Sequence, residues 1–172
     1  LHMMTVLGFL AYLPYSKHLH LLASPFGVFF ADLQPGRAPA ASEGAAKLEE
    51  FTWRQLFNGL ACAECGRCDR ACPSVASGYA LSPKQLMHEM KMLVRSGGTT
   101  DLNVKPEEVW ACATCGSCMS RCPVFNEHIP VVTEIRRKLV AGGAIDTQLQ
   151  TALMNLTRYG NSFGQSPRNR TK

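Results

Sequence analysis

The 172-residue chain predicts an all-α fold. Three observations carry that expectation. Apolar residues recur at i, i+3/i+4 and i+7 in several segments, Ser, Asp or Pro opens these segments and Gly closes them, and no stretch alternates with period two over more than a few residues.

Residues 1–15 (LHMMTVLGFLAYLPY) carry no charge, yet are shorter than the roughly 20 residues a helix needs to cross a bilayer. A signal peptide is a poor reading, because no basic n-region or cleavage site is evident. That leaves the tail end of a membrane helix or a buried core helix. Lys17, with Tyr12 and Tyr15, suits a membrane helix reaching the cytosolic interface, and residues 21–30 continue along it. The expected division is a membrane or interfacial segment over 1–30, a Pro/Gly/Ala linker over 31–42, a helical body over 43–145, and a helix with a connection over 146–172. A start at Leu1-His2 and a polar end at Lys172 suggest a piece of a longer polypeptide.

Within the body, Ser42 is expected to cap a helix over about 43–59, with Leu48, Phe51, Leu56 and Gly59 on its apolar stripe. Ser82 and Pro83 open the next helix as N-cap and N1, and Gly97-Gly98 closes it. Leu86, Met87, Met90, Leu93 and Val94 give its inner face, and its methionines read as packing groups rather than ligands. Pro106 starts a short helix through Trp110. Another runs from Pro130 to Val140, with Val132, Ile135 and Leu139 inward and Gly142 as terminator. Asp146 caps the last, which carries Leu149, Leu153 and Leu156 and ends near Gly160.

The chemistry lies in the cysteines. All eight fall into two copies of one pattern, Cys62-x2-Cys65-x2-Cys68-x3-Cys72-Pro73 and Cys112-x2-Cys115-x2-Cys118-x3-Cys122-Pro123. This is the bacterial run for two 4Fe-4S clusters, in which the fourth cysteine of each run ligates the other cluster. One cluster would then take Cys62, Cys65, Cys68 and Cys122, and the other Cys112, Cys115, Cys118 and Cys72. Three thiolates on a tight loop reach three corners of a cuboidal cluster, and the fourth comes from elsewhere. Gly66 and Gly116 sit where the loops bend, and Pro73 and Pro123 stop the chain after the fourth cysteine. Structural zinc fits less well, since zinc sites pair two C-x-x-C elements or mix in histidine around one ion. Between Cys72 and Cys112 lies a full helix plus a loop, longer than βαβ ferredoxins carry. The fold expected is therefore an α-helical ferredoxin domain with two 4Fe-4S clusters, preceded by the end of a transmembrane helix.

With every cysteine in a motif, nothing suggests disulfides, and reduced thiolates point to the cytosol or a membrane's cytosolic side. The formal charge of +5 overstates basicity: eight thiolates and two cluster cores add about −8 + 4 = −4, leaving roughly +1. Nucleic-acid binding gains no support. Arg67, Arg70 and Arg121 either offset cluster charge or are solvated loop residues. Trp53 and Trp110 precede the loops by nine and two residues and are expected to shield the clusters from water. His88 reads as a surface residue and His128 as a hydrogen-bonding loop residue. No constellation for bond-making catalysis is evident.

The stretches CAECGRCDRACPSVASGYALSPKQLM and VWACATCGSCMSRCPVFNEHI resemble the ferredoxin segment of membrane-bound heterodisulfide-reductase-like oxidoreductases. That group includes membrane proteins linking electron-transfer flavoprotein to menaquinone. LAYLPYSKHLHLLASP is similar to the last helix of their cytochrome b domain, akin to the nitrate reductase gamma subunit. The resemblance implies haem b ligation by His2 and His20, not His18, with a partnering histidine for each from upstream helices. Eighteen helical residues rise roughly 27 Å, so one helix would serve haems on opposite sides of the membrane; Pro14 is expected to kink it. It further implies an electron path, at the cytoplasmic face of the cell inner membrane, between a haem b/quinone module and a cytosolic redox partner. That partner would be electron-transfer flavoprotein or a cysteine-rich heterodisulfide-reductase-like domain. Two other readings remain: a soluble or peripheral helical ferredoxin subunit without haem, and a zinc-stabilised interaction module.

Overall fold

In the computed structural model, residues 1–34, 42–99, 102–166 and 168–169 are described, and among them every regular element is helical. Part of the expected linker, residues 35–41, lies outside this set.

Two helices lead the chain, α1 (His2–Tyr12) and α2 (Leu19–Phe29). Pro14 does more than kink a single helix: it sits in a 3₁₀ turn, Leu13–Tyr15, and the chain leaves helical geometry at Ser16. The continuous rise from His2 to His20 is thus interrupted. Among the described residues no helix is long and apolar enough to cross a membrane. α1 buries none of its side chains against the described residues.

The helix expected from residue 43 forms only in its second half. Gly44, with φ of +86°, passes so close to the next-to-last helix of the fold that an added Cβ would lie 2.1 Å from the Lys138 backbone nitrogen. Ala45 N–H donates to the Glu134 carbonyl (3.0 Å), and Ser42, rather than capping a helix, bonds the Glu134 carboxylate. These contacts hold residues 42–45 as a strap against the next-to-last helix, and a 3₁₀ turn, Leu48–Glu50, follows. Helix α3 (Trp53–Ala61) begins only at Thr52, whose hydroxyl accepts from Gln55 N–H while the Gln55 side chain reaches back to Thr52 N–H.

The cluster motifs continue as α4 (Arg67–Ala71) and α5 (Pro73–Ala76). Next come α6 (Pro83–Arg95), capped by Ser82, and α7 (Pro106–Trp110). Then follow α8 (Ser117–Ser120), α9 (His128–Ala141) and α10 (Thr147–Tyr159), capped by Asp146 and closed by Gly160 in the left-handed region. α3 packs on α6, α7 on α9 and α4 on α8, so the cysteine repeat is also a structural one. Met87 and Met90 are fully buried with Leu86, Leu93, Val109, Val131, Val132 and Ile135, as their helical spacing implies. The stripe on α10 behaves differently: the helix buries none of its residues, and Leu156 is largely exposed.

Candidate metal centres

The two motifs bend alike. Gly66 (φ +73°) and Gly116 (φ +75°) cap α4 and α8 in the left-handed region. Glu64 (φ +53°) and Thr114 (φ +52°) also adopt it, without a glycine's freedom. Such backbone is rare for a β-branched residue and collects at functional sites. Here it turns an amide toward sulfur in each loop. Glu64 N–H meets Cys62 Sγ at 3.4 Å, and Thr114 N–H meets Cys112 Sγ at 3.4 Å.

Each loop is also anchored by a cation from a core helix. Lys91 Nζ on α6 donates to the Cys62 carbonyl (3.2 Å) and to Glu64 Oε1 (2.5 Å). Arg136 on α9 donates to the carbonyls of Val109 (2.8 Å) and Cys112, and its guanidinium stacks 5.1 Å from the Trp110 ring centre. Arg54 on α3 pairs with Glu127, which also accepts from Asp32 N–H (3.1 Å). This clasp draws the chain after Cys122 toward the first loop. Asp69 ties α4 to the start of α6 by accepting from Ser82 Oγ (3.0 Å) and Lys84 N–H (2.9 Å).

Two cavities result. One, of about 340 Å3 with its mouth included, is lined by Cys62, Cys65, Cys68 and Cys122. The other, of about 380 Å3, is lined by Cys112, Cys115, Cys118 and Cys72. The fourth cysteine of each run has crossed to the cavity of the other. Among the described residues no three His, Cys, Asp or Glu side chains converge closely enough to hold a single metal ion. Sulfurs ringing a cavity, with amides aimed at them, suit a multi-iron cluster better than one tetrahedral ion.

Burial pushes the Cys68 and Cys118 thiols up to about 12 and raises Cys62 as well; Asp69 beside Cys68 and Cys112 beside Cys118 add to the effect. Cys115 is exposed and lowered by the Ser117 hydroxyl. Metal binding at the buried cysteines must therefore expel protons.

Other residues lie differently from their sequence-based expectation. Trp53 is largely exposed and stacks edge-on to Phe30 (5.4 Å), so it does not cover a cluster loop. His88 has a partner, with Nδ1 3.3 Å from Glu64 Oε1. His128 is no loop residue: it opens α9, is 3% exposed, and lines both cavities. Burial lowers its pKa to about 4, despite the opposing hydrogen bond to the Asn126 carbonyl. Arg67 does line the first cavity. His2 is exposed and His20 half-buried, with Nδ1 2.9 Å from the Lys17 carbonyl. Lys91, Arg136 and Asn126 carried no sequence signal. The two cations sit 29 and 24 residues from the cysteines they anchor, so the motif repeat does not align them.

Two cavities, each lined by four cysteines, fit a two-cluster iron–sulfur domain, and residues 58–126 match the model of the 4Fe-4S dicluster domain. Along 224 aligned residues the chain is 31% identical to the probable iron-sulfur-binding oxidoreductase FadF of Bacillus subtilis, covering 99% of this chain and 32% of that protein. It is 29% identical to the EtfAB:quinone oxidoreductase of Syntrophomonas wolfei, covering 95% of this chain and 29% of the relative. It is also 30% identical over 112 residues to an iron-sulfur component of the CoB–CoM heterodisulfide reductase of Methanopyrus kandleri, with 65% of this chain and 55% of that relative aligned. The chain is thus related to the heterodisulfide-reductase-like iron–sulfur oxidoreductases. It spans about a third of the length of the first two.

Proposed function

We infer that the chain is an electron relay in which Cys62, Cys65, Cys68 and Cys122 hold one 4Fe-4S cluster and Cys112, Cys115, Cys118 and Cys72 hold a second. The observation that carries this is the exchange of fourth cysteines, with Cys122 lining the first cavity and Cys72 the second. A bound cluster supplies one-electron chemistry, and the chain needs no catalytic acid, base or nucleophile beside it. The protein's part is to aim amides at sulfur, hold the loop carbonyls with Lys91 and Arg136, and keep water from the buried thiolates.

The electrons would run between a cytosolic redox partner and a haem b/quinone module at the cytoplasmic face of the cell inner membrane. Candidate partners are an electron-transfer flavoprotein or a cysteine-rich heterodisulfide-reductase-like domain. A relative's description as an EtfAB:quinone oxidoreductase supports this. So does the apolar surface of α1 and α2, where Phe9, Leu10, Leu21, Leu22, Phe26 and Phe29 are exposed. α2 packs on α3, and Ser24 Oγ donates to the Ala61 carbonyl (3.1 Å), one residue before Cys62. The first cluster would therefore be the one nearer the module. His20 is the better supported haem ligand. Its Nδ1 lies against a backbone carbonyl, the contact by which ligating histidines fix their other nitrogen toward a metal. For His2 the support is the family resemblance alone.

Cys72→Ser and Cys122→Ser test the ligation. Cys122→Ser should disturb the EPR signal that Cys65→Ser also disturbs, and Cys72→Ser the one shared with Cys115→Ser. Pairing of each serine variant with its own motif would refute the crossed arrangement. A reduced-minus-oxidised optical spectrum of the detergent-extracted, full-length protein tests the haem. Sharp b-type bands support His2 and His20; iron–sulfur bleaching alone would leave a peripheral ferredoxin without haem.

A further inference from the structure

The Asn126 side chain is 1% exposed, and neither Nδ2 nor Oδ1 has a hydrogen-bond partner. Buried side-chain polar atoms are nearly always paired, because the hydration they lose has to be replaced. Asn126 lines the cavity of Cys62, Cys65, Cys68 and Cys122. Its main chain is engaged on both sides: the N–H donates to Cys122 Sγ (3.3 Å), and the carbonyl meets His128 Nδ1 (3.2 Å). The backbone thus fixes this residue beside the sulfurs and leaves its carboxamide without company.

Thiolate and sulfide sulfurs accept hydrogen bonds and donate none, so only the NH2 edge of the amide complements them, whichever way it is turned. A donor there favours the reduced cluster, which carries one more negative charge, over the oxidised one. The repeat supplies an internal comparison. Four residues after Cys122 stands Asn126, whereas four residues after Cys72 stands Ala76, exposed and without a polar side chain. The same offset from the fourth cysteine thus places a carboxamide on the wall of the first cavity and only an exposed methyl, outside the lining of the second, in the other run.

Resting on the two-cluster reading, we propose that Asn126 tunes the first cluster: its carboxamide N–H donates to a cluster sulfur and raises that cluster's reduction potential, with no counterpart at the second. No bond is made and no proton transferred. The residue shifts only where the single electron rests, and it favours the cluster beside α2 and α3.

The test is an EPR-monitored redox titration of the full-length, cluster-loaded protein and its Asn126→Ala variant, which copies Ala76. One couple should fall by about tenfold in its reduction equilibrium, about 59 mV for one electron, while the other stays in place. Two unmoved couples, or two that fall together, would overturn the proposal. Should the variant fail to load iron, the wild type decides alone. Grown with asparagine carrying 15N in its carboxamide, the reduced protein should show an electron-spin-echo modulation from that nitrogen, and its absence refutes the contact. If the wild type itself lacks two 4Fe-4S signals, the failure lies in the underlying reading and not in Asn126.

Discussion

Gly59→Ala probes the joint that carries the first cluster loop. Gly59 faces α6 at such close range that a Cβ would lie 2.8 Å from the Lys91 backbone nitrogen and 3.0 Å from the Met90 carbonyl carbon and Cβ. Ordinary contact begins near 3.4 Å, so α3 or α6 must retreat by about half an ångström. Neither gives easily, because Met90 is fully buried and Lys91 is held by the Cys62 carbonyl. Overpacking of this kind costs about 1–3 kcal/mol. Replacing a glycine in the last turn of a helix returns at most about 1 kcal/mol. The expected net loss is thus about 1 kcal/mol, read as a lower urea midpoint at unchanged slope. Since Cys62 follows α3 directly, a chelator should also strip the first cluster faster than in the wild type, with the second unaffected. A gain in stability of the size propensity alone provides would refute the close approach of α3 to α6.

Lys91→Met should cost about 1–2 kcal/mol, because the Cys62 carbonyl loses a charged donor while the half-exposed Glu64 is resolvated; differential chelator stripping should show the first cluster loosened and the second intact. Cluster reconstitution of the iron-free protein should improve as pH rises from about 7 to about 9, because the buried Cys68 and Cys118 thiols must lose protons to bind; iron uptake independent of pH would contradict this. His128 has a folded pKa of about 4 against an ordinary histidine value of 6.5, so the unfolded chain binds more protons between those values. Stability of the cluster-free chain should therefore fall as pH drops from 6.5 to 4, by up to about 3 kcal/mol. Denaturant titrations of His128→Phe should lack that component.

The parts legible in the sequence are those set by local spacing. The motifs named the ligand candidates, and Ser82, Pro83, Asp146 and Gly160 marked helix ends where the structure has them. Expectations failed where a distant contact decided the outcome. Residues 43–51 read as helix, yet Ala45 N–H is taken by α9, the Ala46 and Lys47 N–H groups by the Glu50 side chain, and only a 3₁₀ turn, Leu48–Glu50, forms before the box at Thr52 starts α3. Trp53 looked like a lid because of its place in the chain, but it packs on Phe30. The α10 stripe predicted a buried face that the chain does not cover. Lys91 and Arg136 matter through the loop carbonyls they reach from 29 and 24 residues away, and Asn126 through the burial of its side chain, which its place four residues after Cys122 does not reveal.

The most direct measurement is iron and acid-labile sulfide per chain on anaerobically purified protein, taken together with EPR of the dithionite-reduced sample. Two four-iron, four-sulfide clusters whose spins interact are expected from adjacent cavities sharing the exchanged cysteines. Zinc in place of iron, or metal without labile sulfide, would contradict the relay outright.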